Sequence, residues 1–147
     1  MKRIVVAVDR SESSLRAVDL AADLTAKYGA ELVLLTVLRD VATPDPALEA
    51  YAQMEHIKDP PATLELETAR DGLTDIADRA RACGAGLVSV EVFVGDPAAE
   101  ILAYVEGVRP DLVVMGSRGH GRLAGLLLGS VTQKVIGLAH CPVLVVH

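Results

Sequence analysis

The chain has 147 residues, of which 51% are apolar and only 3% aromatic, and its formal net charge is −6. That length suits one domain spanning 1–147, with a core built from Val, Leu, Ile and Ala as buried parallel strands require. The acidic balance argues against a general nucleic-acid or anionic-membrane binder, and no apolar run is long enough to span a bilayer.

Met1-Lys2-Arg3-Ile4 enters a strand-like run at once, with no sign of a signal peptide. Ile4 to Val8 reads as the first strand, followed by Asp9 and a cluster rich in helix-capping residues, Ser11-Glu12-Ser13-Ser14. Ala17, Ala21, Leu24 and Tyr28 mark one face of the first helix, and Gly29 supplies its stop. Leu32 to Leu38 is a second buried strand. Arg39 to Thr63, with Pro44, Pro46, Pro60 and Pro61, reads as a long surface excursion, either a binding lid or a disordered segment. Ala69, Leu73, Ile76 and Ala80 mark the second helix, which stops near Gly84, and Leu87 to Val94 is the third strand.

Gly95-Asp96-Pro97 gives a turn, a capping Asp and a proline at the first helical position. Ile101, Leu102 and Val105 face inward on a third helix that Gly107 is expected to end, and Leu112 to Met115 is the fourth strand. Val131, Val135 and Leu138 define a fourth helix, broken by Cys141-Pro142, and Val143 to Val146 is the fifth strand. Strands and helices alternate throughout, so we expect an α/β, doubly wound, five-stranded parallel sheet with helices on both faces. In the order 3-2-1-4-5, ligands bind between strands 1 and 4, where Asp9 and Gly116 emerge.

Between the fourth strand and the fourth helix lies the stretch on which function turns. Gly116-Ser117-Arg118-Gly119 is followed, after nine intervening residues, by Gly129-Ser130. A strand, a glycine-punctuated loop and a helix N-terminus form a phosphate-binding arrangement. It is no dinucleotide fingerprint, because Val8-Asp9-Arg10 lacks the glycines, and no Walker A loop, because Arg122 and Leu123 replace Lys and Ser/Thr.

The spacing Gly116, Gly119, Gly129, Ser130 fits G-x2-G-x9-G-[ST] and resembles the ATP-binding members of the universal stress protein family. The likeness covers the whole chain, including Ile4 to Asp9, Gly95-Asp96-Pro97 and the Cys-Pro-Val-Leu-Val-Val ending. It implies that Asp9 lies near the ribose or adenine and that Val37 meets adenine through its backbone. Gly116 and Gly119 would line ribose and phosphates, and Gly129, Ser130 and Val131 would offer N–H groups to phosphate. Thr36 stands where the family often carries His, with little effect expected on backbone-mediated binding.

Arg118, His120 and Arg122 either reach the phosphates or form a solvated loop face. His56, His120, His140 and His147 lack metal-ligand spacing, so any Mg²⁺ is expected to arrive with the nucleotide. No nucleophile–base pair stands out, and the resemblance implies an ATP-holding, cytoplasmic stress regulator with an unknown protein partner. The rivals are a slow ATPase or phosphotransferase and an AMP- or cyclic-nucleotide-binding module. Cys83 and Cys141, far apart, fit a reduced compartment. Val143, Leu144, Val145 and Val146 form an apolar edge without Pro or charge, and the resemblance implies a homodimer through it.

Overall fold

The computed structural model describes residues 1–39, 61–119 and 128–147, with residues 61–65 described by backbone alone. The elements in chain order are β1 (Arg3–Ala7), α1 (Glu12–Tyr28), β2 (Glu31–Leu38), α2 (Pro61–Ala82), β3 (Leu87–Val94), α3 (Pro97–Val108), β4 (Leu112–Gly116), α4 (Ser130–Leu138) and β5 (Val143–Val146). All strand pairs are parallel, in the order β3-β2-β1-β4-β5. The expected sheet order is therefore the observed one.

Successive residues of a strand point to opposite faces, and each central strand feeds two cores at once. Ile4, Val6, Leu32, Leu34 and Val114 face α1 and α2, where Ala17, Ala21, Leu73, Ala77 and Ala80 meet them. Val5, Val33, Leu35, Val113 and Met115 face α3 and α4 and pack on Ile101, Val105 and Val135. The apolar strand runs have no polar face because both faces are covered. Fully burying one such Val or Leu side chain contributes about 1.5–3 kcal/mol. The small Ala faces let the helix axes lie close to the sheet.

Several boundaries differ from the sequence expectation. α2 starts at Pro61, so its first residues belong to what reads as a surface excursion; a proline fits the first helical position, where its missing N–H costs nothing. Residues 40–60 of that excursion, with the proposed lid, lie outside the described residues. Gly107 does not end α3. The helix continues to Val108 and closes on Arg109, whose left-handed φ of 46° lets its N–H reach the Val105 carbonyl, and Pro110 then blocks continuation. Gly29 does cap α1 as expected, with φ 63°. Asp96 caps α3, its side chain accepting from the Ala99 N–H at 3.0 Å.

β1 leads into α1 on one face of the sheet, while β4 leads into α4 on the other. The two chain exits diverge at the carboxyl ends of adjacent strands, and a crevice opens between them.

Candidate nucleotide cleft

A cavity of about 500 Å³ occupies that crevice. Its apolar wall is Ala7 and Val8 of the β1 end, Leu35 and Val37 of β2, Ile101 of α3 and Met115 of β4. Its polar rim is Asp9, Gly116, Arg118 and Gly119 on one side and Gly129, Ser130 and Val131 on the other. All eight residues singled out in the sequence, Asp9, Val37, Gly116, Arg118, Gly119, Gly129, Ser130 and Val131, line this one cavity. His120 and Arg122 lie outside the described residues.

The rim is built by hydrogen bonds that the sequence does not advertise. Asp9 is not the cap of α1; Ser11 is, with its side chain accepting from the Ser14 N–H. The Asp9 Oδ1 accepts instead from the Ser11 N–H at 2.9 Å and the Ser11 hydroxyl at 2.5 Å, which fixes the carboxylate beside the loop. A Cβ at Gly119 would meet the other carboxylate oxygen of Asp9. A side chain there would press on the tip of the Asp9 side chain and push the carboxylate from its place beside the loop. Gly116 lies equally close to the first turn of α1, against Ser13 and the Ser14 backbone nitrogen.

The loop after β4 is tied down from three directions. The Ser117 N–H donates to the Val146 carbonyl of β5 at 2.6 Å, and the Ser117 carbonyl accepts from the Gly129 N–H at 2.7 Å. The Thr132 hydroxyl donates to the Gly116 carbonyl at 2.9 Å and locks α4 onto the end of β4. The Arg118 carbonyl is met by the hydroxyls of Ser13 at 2.6 Å and Ser11 at 3.1 Å. Thr36, just before Val37, donates to the Val8 carbonyl at 2.6 Å, joining the ends of β2 and β1.

What these ties leave over is a set of donors. α4 opens on Gly129, which has no side chain to cap it, and its first amides have no carbonyl a turn earlier to bond. The N–H groups of Ser130, Val131 and Thr132, with that of Gly119, have no hydrogen-bond partner among the described residues. They gather on the polar rim, at the positive end of a helix, and can hold an anion. Among the described residues no group of three or more His, Cys, Asp or Glu side chains comes together, and Asp9 is the only acid on the cavity wall.

The match to the model of the universal stress protein family runs over residues 1–147. The chain belongs to the universal stress protein family. A universal stress protein of Methanocaldococcus jannaschii is 37% identical over 145 residues, covering 99% of this chain and 81% of that protein. The solved structure of a universal stress protein from Lactobacillus plantarum superposes with a TM-score of 0.82 at 26% identity, over 99% of this chain and 97% of that one. A universal stress protein crystallised in complex with cAMP is 33% identical, with a TM-score of 0.68 over 99% and 96% of the two chains.

Within this universal stress protein, sequence reasoning missed several wall residues. Ser14, Arg39, Pro97, Thr132 and Gln133 also line the cavity. Thr132 and Gln133 follow the glycine-serine pair directly, so a helix N-terminus extended by one turn would have found them. Ser11 and Ser13 were visible only as a generic capping cluster, because the carbonyl they hold is more than a hundred residues away.

Proposed function

We propose that this universal stress protein binds an adenine nucleotide, ATP foremost, in the cleft between the ends of β1 and β4. The observation that carries the reading is the convergence, on the polar rim of a partly apolar cavity, of four N–H groups that have no partner among the described residues. The amides of Gly119, Ser130, Val131 and Thr132 would take phosphate, and the Val8, Val37 and Met115 side would take the base. Asp9 carries a carboxylate that only accepts hydrogen bonds, so it would turn to donors, the ribose hydroxyls or the base amino group. Arg118 and Arg39, both exposed on the cavity edge, would add positive charge for a longer phosphate chain. A Mg²⁺ ion would enter with ATP, carried on its phosphates.

In this reading the protein is a cytoplasmic regulator that changes its surface with the nucleotide it holds. It would work as a homodimer through the exposed edge of β5, Val143 to Val146, with an unidentified regulatory partner. Slow ATP hydrolysis would need a positioned general base as well as the cradle. A second reading, cyclic AMP as the ligand, draws support from the 33%-identical relative crystallised with cAMP.

Isothermal titration of the purified protein with ATP, ADP, AMP and cAMP tests the proposal. Micromolar affinity for ATP, exceeding that for AMP and cAMP, is the expected result. Cyclic AMP binding best would favour the second reading, and no nucleotide binding below the millimolar range would overturn both.

A further inference from the structure

Each N–H of the phosphate rim needs a fixed direction, and three of them have one because they belong to α4. The fourth, Gly119, sits in a loop, and its orientation must come from elsewhere. A trans peptide is planar, with its C=O and the following N–H pointing opposite ways. No cis peptide occurs among the described residues, so the Gly119 N–H points away from whatever holds the Arg118 carbonyl. The hydroxyls that hold it stand on the first turn of α1. The N–H is thereby turned from α1 towards Gly129, where a Cβ would stand 3.7 Å from the Gly119 nitrogen.

Two serines touch the Arg118 carbonyl, but a hydroxyl has one proton to donate. The Ser11 Oγ stands 2.5 Å from the charged Asp9 Oδ1 and 3.1 Å from the Arg118 carbonyl. A charge-assisted bond at the shorter distance wins that proton. The Ser13 hydroxyl, at 2.6 Å and 8% exposed, is left as the principal donor to the Arg118 carbonyl.

We propose that Ser13 is the positioning residue of the nucleotide cleft, holding the 118–119 peptide so that the Gly119 N–H faces the ligand phosphate. Ser13 does not line the cavity and touches no ligand; it acts through one peptide plane. The inference rests on the nucleotide reading above and assigns the loop amide its anchor. Because the effect passes through a phosphate-directed donor, it must depend on whether the ligand has a phosphate.

The test compares AMP with adenosine on wild type and Ser13→Ala. In the wild type, AMP is expected to bind more tightly than adenosine. In Ser13→Ala the AMP affinity should fall roughly three- to tenfold, the loss of one oriented hydrogen bond, with adenosine affinity unchanged. A truncation that merely loosened the cleft would weaken both ligands alike, and that outcome overturns the proposal, as does an unchanged AMP affinity. The amide resonance of Gly119 in ¹⁵N spectra gives a readout independent of affinity. It should move on AMP addition in the wild type, and move less in the variant. A wild type that binds neither AMP nor adenosine overturns the proposal, and one that binds no ATP either sinks the nucleotide reading with it, whereas wild-type binding with identical variant behaviour removes the proposal alone.

Discussion

A Cβ on Gly116 would stand 2.7 Å from the Ser14 backbone nitrogen and 2.9 Å from the Ser13 carbonyl carbon, so Gly116→Ala must push the first turn of α1 off the loop. Backbone atoms cannot swing aside as a side-chain tip does, and about 1–3 kcal/mol of stability should be lost. Gly129 has an ordinary φ of −68°, and an added Cβ would come no nearer than 3.6 Å to the described residues around it. Gly129→Ala should therefore melt within about 0.5 kcal/mol of the wild type while binding nucleotide more weakly, the methyl standing beside the open amides. Thermal melts and titration of the two variants check the contrast; equal melting losses would count against it. The spacing of these glycines is legible in the sequence. What each one abuts is not, because Ser13, Ser14 and Asp9 reach the loop only through the fold.

Between elements, the far end of the sheet carries a clip that no motif announces. Asp111, in the turn before β4, accepts from the backbone N–H groups of Lys2 and Arg3 at 2.5 and 2.9 Å, and its own N–H donates to the Arg3 carbonyl at 3.0 Å. Those backbone donors, Arg3 first, hold its carboxyl below the ordinary 3.8. A carboxyl whose folded value is depressed stabilises the fold above its unfolded value and loses that contribution as pH falls through the folded one. The advantage of wild type over Asp111→Asn in melting temperature should accordingly be constant from pH 7 to 5 and shrink below pH 3.8. Parallel melts across that range measure it, and a gap independent of pH would count against the assignment. At this scale the sequence was a good guide to strands, whose apolar runs announce double burial, and a poorer one to helix ends. Gly107 looked like a stop, yet tertiary packing carried α3 one residue further to a left-handed arginine.

For the molecule as a whole, the sheet order was readable because alternating strands and helices leave few right-handed topologies, and the order in turn located the crevice. The proposed pairing of the β5 edge with a second chain makes its own prediction. Light scattering at micromolar concentration should return twice the 15.5 kDa chain mass, and Val145→Asp should return one chain. A wild-type monomer would rule that dimer out. The β1–β4 ladder also has a consequence in time. β1 joins β2 across a short stretch of chain, but its other edge waits for β4, and Ser13 meets the Arg118 carbonyl across 105 positions. On the ribosome, a nascent chain that has released β1, α1 and β2 still shows a bare apolar strand edge, and the cleft has only one of its two lips. The pocket is thus among the last things the chain makes, and ligand capture during refolding should mark the arrival of the C-terminal third and not the first collapse.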